Sequence, residues 1–171
     1  MSRMLDPVQL NEHLRGLARR YAEVLQERLG PSLISVVLFG SVARGEAGVQ
    51  SDIDLLVIAS DLPQGRLARQ DLVSDADTRL DPELCDLRQQ GVLVDFSPIL
   101  KTPSETLRLP PMFLDLVDDA VVLYDRDGFF PGVLARLRAS LARLGARRVR
   151  RGALRYWELK PDYRPGEIFE L

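Results

Sequence analysis

Two short apolar runs, LISVVLFG at residues 33–40 and IDLLVIAS at 53–60, constrain this chain more than any other feature. Both are rich in β-branched residues, and both read as buried strands. The connection between them carries the densest chemistry in the sequence. Gly40-Ser41 stands at the exit of the first strand, and Asp52-Ile53-Asp54 at the entrance of the second. Such a stretch is either a hairpin with a polar tip or a site that holds a phosphate at one end and a metal ion at the other.

The rest of the chain alternates helix and strand signals. Asp6-Pro7 is an N-cap followed by a first-turn proline; Leu10, Leu14, Leu17, Tyr21, Leu25 and Leu29 then keep helical spacing until Gly30-Pro31. Between Gln64 and Gln90, Val73, Ala76, Leu80, Leu84 and Leu87 keep the same spacing, and Asp81-Pro82 reads as a fresh cap that divides the segment in two. VLVDFSPIL (92–100) is a third strand, 104–120 a helix disturbed at Pro110-Pro111, and VVLY (121–124) a fourth strand. Phe130, Leu134, Leu137, Leu141 and Leu144 mark a last helix. Residues 155–171 show neither period and read as an extended aromatic tail that docks on something.

A chain of 171 residues, 46% hydrophobic, can bury one full core. Its net charge of −2 argues against a general nucleic-acid binder. From residue 136 onwards, however, ten Lys or Arg face four Asp or Glu, so a basic end sits on an acidic body. A single cysteine, Cys85, excludes an intrachain disulfide. With no signal-peptide core and no run long enough to cross a bilayer, a cytoplasmic location is the expectation.

The residues of the opening stretch have a chemical reading. A glycine lets a phosphate approach the backbone, a following hydroxyl donates to a phosphate oxygen, and helix-start amides add positive potential. Gly40 and Ser41 therefore read as a phosphate seat. Asp52 and Asp54, two apart at a strand start, leave the same face, and two carboxylates so close repel unless a cation lies between them. Oxygen ligands of this kind suit Mg²⁺. Asp95 interrupts the apolar run VLVDF, where burial of an unpaired carboxylate would cost several kcal/mol. Beside the strand of Asp52 and Asp54 it would complete a three-carboxylate cluster able to organise two metal ions, as ligand or general base. Arg44 reads either as a neutraliser of phosphate charge or as a solvated loop side chain. His13 reads as a surface position and Cys85 as an apolar filler. The arginines at 143, 147, 148, 150 and 151 read as a solvated helix end or as a partner or nucleotide contact.

Gly40-Ser41, ten residues, Asp52-Ile53-Asp54 and the later Asp95 resemble the nucleotidyltransferase superfamily typified by DNA polymerase beta. The string GSVARG…SDIDLLV is especially similar to its minimal, MNT-type members. The resemblance implies an α+β fold: a small mixed β-sheet flanked by helices in a nucleotidyltransferase domain (1–125), followed by a C-terminal helix and tail (126–171) in the same globular unit. It implies transfer of a nucleoside monophosphate, with ATP as donor, to a hydroxyl acceptor, with release of pyrophosphate. Gly40, Ser41 and Arg44 would hold the nucleotide, and Asp52, Asp54 and Asp95 two Mg²⁺ ions. The family further implies a HEPN-domain toxin as partner, adenylylated on a tyrosine. A small-molecule acceptor such as an aminoglycoside, and a binding antitoxin without chemistry, are the alternatives.

Overall fold

The computed structural model describes all residues except 1–5, 153, 165 and 170. In chain order the elements are α1 (Pro7–Leu29), a 3-10 turn (Gly30–Ser32), β1 (Leu33–Phe39), α2 (Gly40–Arg44), β2 (Ile53–Ala59), α3 (Arg66–Asp71) and α4 (Ser74–Gln89). There follow β3 (Phe96–Lys101), α5 (Pro103–Leu107), α6 (Phe113–Asp119), β4 (Val121–Asp125), α7 (Phe129–Leu144), β5 (Arg147–Arg151) and β6 (Leu154–Glu158). Asp6 caps α1, its carboxylate accepting from the Val8 N–H at 3.5 Å, and Gly30 ends it at φ +48.

Strands β1 to β4 form one mixed sheet in the order β3-β2-β1-β4: β2 is antiparallel to β1 and parallel to β3, while β4 closes the other edge. Helices cover both faces. On one, Leu14, Leu17, Tyr21 and Leu25 of α1 meet Leu80, Leu84 and Leu87 of α4 over Val36, Leu38, Leu55 and Val57. On the other, Phe113 and Leu116 of α6 and Phe130, Val133, Leu137 and Leu141 of α7 pack on Val37, Leu56 and Ile58. The two central strands are therefore apolar on successive residues rather than alternate ones, which is why each reads as a continuous run.

The structure corrects three expectations. Pro82 does not divide its segment: the break falls between α3 and α4, and Pro82 lies inside α4. The helix tolerates it because Pro82 and Thr78, whose carbonyl loses its i+4 donor, are both exposed, so water can serve that carbonyl. The third strand starts at Phe96 rather than 92, because only Val92 and Val94 of the preceding stretch are buried and the ladder to β2 begins at Ile53↔Phe96. Of the basic run only Arg143 is a helix end, in the last turn of α7; the other four arginines lie in a strand. Gly145, at φ +66, ends α7, and Arg147–Arg151 pairs antiparallel with Leu154–Glu158, so the first residues of the expected tail form half a hairpin. Four of the five residues of β5 are arginines, so the strand shows no alternation of polar with apolar and its period is hidden in charge.

Candidate functional site

The site is assembled at one end of the sheet. Strand β1 ends at Phe39, whose cross-strand partner is Asp54; Asp54 in turn lies level with Ser97 of β3. Gly40 follows at φ +72, and a methyl group on it would overlap Asp54 Oδ2. Only glycine fits there, on both counts. The turn of helix α2 then carries Ser41 away from the strand and closes at Gly45, φ +76.

Helix α1 braces this turn. Arg15 donates from Nε to the Val42 carbonyl at 3.1 Å and from Nη2 to the Ala43 carbonyl at 2.5 Å, serving the open carbonyls of α2. Buried Asn11 accepts the Ala47 N–H at 3.3 Å. The loop returns through a tight turn in which the Gly48 N–H donates to Ser51 Oγ at 2.9 Å. Asp52 emerges exposed, and Asp54 lies half-buried two residues on.

Burial pushes the Asp54 carboxyl above its ordinary value, and the negative charge of Asp52 adds to the rise. The Ser97 hydroxyl, donating to that carboxylate, and the Arg44 guanidinium act in the opposite direction. Asp52 and Asp54 thus form a close pair with an unmet demand for positive charge. Arg44 itself is held by Glu46 at 2.8 Å and by Asp119 at 3.7 Å.

Gly40 touches Asp54, and Asp52 acts on Asp54 through its charge, with Ser41 next to Gly40 in the chain; the side chain of Asp95 stands apart. The Asp95 carbonyl accepts the Ile53 N–H at 2.9 Å, so its backbone lies alongside Asp52. Its carboxylate, however, is 69% exposed and paired with Arg88 at 2.6 Å. The expected burial of an unpaired charge does not occur, because the residue stands at the mouth of the strand where water and Arg88 serve it. Among the described residues no three His, Cys, Asp or Glu side chains are grouped to hold a metal ion. His13 is exposed and Cys85 partly buried.

Sequence reasoning missed Ser97, Arg15 and Asn11. Ser97 carries a signal in retrospect, a hydroxyl in an otherwise apolar strand, but its level with Asp54 depends on the β2–β3 register. Arg15 and Asn11 act 27 and 36 residues from their partners, and nothing local marks them.

The general model of the nucleotidyltransferase domain matches residues 18–116. The chain is 32% identical over 133 residues to the "Putative protein adenylyltransferase MJ1305" of Methanocaldococcus jannaschii, covering 77% of this chain and 85% of that one. Among solved structures, a toxin-antitoxin complex with AMP-PNP superposes with a TM-score of 0.46 at 21% identity, over 74% of this chain and 92% of that one. A tri-AMPylated HEPN toxin of Shewanella oneidensis in complex with its MNT antitoxin gives 0.43 at 20%, over 77% and 92%. The span of the matched domain and the identity to the archaeal relative establish that the chain belongs to the nucleotidyltransferase family.

Proposed function

We propose that the protein transfers AMP from ATP to a tyrosine hydroxyl of a HEPN-type partner protein, in a Mg²⁺-dependent reaction that releases pyrophosphate. The observation that supports the transfer chemistry is the close approach of Gly40 to Asp54, a glycine with room for a phosphate beside a candidate metal ligand. The archaeal protein adenylyltransferase supports a protein acceptor.

The donor set fits Mg²⁺. Asp52 and Asp54 offer oxygen ligands only, one exposed and one half-buried, and their mutual repulsion is what a divalent cation relieves. When bound, the metal supplies neutralisation of phosphate charge. The chain's own groups do the rest. The Gly40 backbone and the Ser41 hydroxyl hold the β and γ phosphates, and Arg44 adds a cation beside them. Ser97, level with Asp54 in the β2–β3 ladder, favours its charged form. The acceptor hydroxyl would pass its proton to a base, for which Asp95 is the candidate, and its oxygen bonds to the α-phosphorus as the bond to pyrophosphate breaks, with positioning and electrostatics as the sources of rate. Asp95, whose backbone adjoins Ile53, would join Asp52 and Asp54 as third ligand or general base once its exposed carboxylate leaves Arg88.

The test is incubation with Mg²⁺, labelled ATP and the product of the neighbouring gene. Label is expected on a tyrosine of that protein and is expected to vanish with Asp52→Ala or Asp54→Ala. Label on an aminoglycoside instead would sink the protein acceptor, and tight binding of the partner without label would sink the chemistry.

A further inference from the structure

The last turn of α6 gathers arginines from three other elements. Arg44 of α2 and Arg148 of β5 both lie 3.7 Å from the same oxygen, Oδ2 of Asp119. Arg148 also holds Asp118 at 2.9 Å, and Arg138 of α7 donates to the Val117 carbonyl at 2.6 Å. Carboxylates at a helix C-terminus oppose the helix dipole, so Asp118 and Asp119 in the sequence LVDDA are unfavourable there without cations. The arginines supply those cations, and the carboxylates in turn keep the arginines apart from one another.

The arrangement puts the hairpin beside the phosphate seat. In the β5–β6 register Arg148 lies directly opposite Trp157, so the two share a face, and Trp157 packs on the second core. Arg148 therefore looks inward at α6, with its side chain 32% exposed, while Asp119 is 17% exposed. Only one carboxylate separates it from Arg44, which follows Gly40-Ser41 within one helical turn. Arg147, on the opposite face, is paired with Glu158 at 2.6 Å instead.

We propose that Arg148 is a nucleotide-binding residue: the β5–β6 hairpin is a wall of the triphosphate site, and Arg44 and Arg148, held by Glu46 and Asp118 and sharing Asp119 at longer range, exchange these carboxylates for the phosphates. The proposal rests on the phosphate seat at Gly40-Ser41 and extends the site beyond the span of the matched domain, which ends at residue 116. A triphosphate with its metal offers charge-assisted acceptor oxygens at hydrogen-bond distance where Asp119 lies 3.7 Å from each guanidinium group, so a turn of both groups toward the phosphates is favourable.

The test is calorimetric titration of the full chain with AMP-PNP in the presence of Mg²⁺. Arg148→Gln, which keeps the stem and its packing, is expected to weaken binding about tenfold, as loss of one charge-assisted hydrogen bond does. It is also expected to reduce the dependence of affinity on salt. Arg147→Ala is expected to bind as the unmodified protein does. Asp119→Asn separates a binding role from a structural one. Loss of the shared charge, with Arg148 still on Asp118 and Arg44 still on Glu46, is expected to maintain or tighten nucleotide affinity, whereas a merely structural latch would make it weaker. Unchanged affinity in Arg148→Gln, or weakened affinity in Asp119→Asn, overturns the proposal. Failure of the unmodified protein to bind AMP-PNP with Mg²⁺ would overturn the phosphate seat itself, a distinct outcome.

Discussion

At Asp54, burial and the neighbouring Asp52 charge both favour the neutral acid, so the metal-free protein holds this carboxylate against its preference. Asp54→Asn is expected to abolish AMP transfer and yet raise the thermal midpoint of the metal-free protein by about 1–2 °C, a modest gain because the group is partly solvated. Calorimetry with and without Mg²⁺ checks it: the variant should also lose the stabilisation that Mg²⁺ gives the unmodified protein. Gly40 carries the opposite expectation. Its positive φ and its contact with Asp54 mean that Gly40→Ala should lose about 2 kcal/mol in urea unfolding and displace Asp54 enough to reduce transfer about 100-fold. The pairing of Gly40-Ser41 with Asp52 and Asp54 was legible in the sequence, because each half lies at a strand end. The fate of Asp95 was not, since one exposed arginine seven residues away decides it.

Among the elements, α5 carries the clearest dependence on pH. Thr102 and Glu105 form a capping box, and Arg69 of α3 reaches Glu105 with both guanidinium nitrogens at 2.8 and 2.9 Å. The Arg69 fork, with help from the Thr102 N–H, holds the Glu105 carboxyl down at about 2 against an ordinary 4.5. A depressed folded value means that this stabilisation is whole above the unfolded value and is lost as the pH falls towards about 2. Urea midpoints measured from pH 6 to pH 2 should therefore fall more steeply in the unmodified protein than in Glu105→Gln. Helix α4 offers a second expectation. Pro82→Ala restores an N–H donor to the Thr78 carbonyl, and after the entropy returned to the unfolded chain it should stabilise by about 1 kcal/mol in chemical denaturation. Helix α1 and strands β1 and β2 were legible, because their apolar periods are undisturbed by charge. The hairpin was not, although its pairing is local, because four of the five residues of β5 are arginines and show no alternation of polar with apolar.

For the molecule as a whole, the matched domain ends at residue 116, but the second face of the sheet is closed by α7. Phe130, Val133, Leu137 and Leu141 cover Val37, Leu56 and Ile58 there. We therefore propose that 126–171 is one folding unit with 1–125. A fragment ending at residue 125 is expected to bind the dye ANS and to lack a cooperative thermal transition, because the apolar face left bare includes Phe113 and Leu116. Among the described residues no helix is long and apolar enough to cross a membrane.

The sequence by itself determined α1, β1 and β2 and, through the resemblance carried by Gly40-Ser41, Asp52 and Asp54, the reaction class, because apolar period, caps and motif spacing act through neighbours in the chain. Tertiary structure alone decided what depends on register and on distant side chains. It set Ser97 level with Asp54, turned Asp95 to Arg88, braced α2 with Arg15 and brought Arg148 to Asp119. Each of these joins groups whose proximity comes from packing two helical layers on one sheet, and no local propensity encodes that distance.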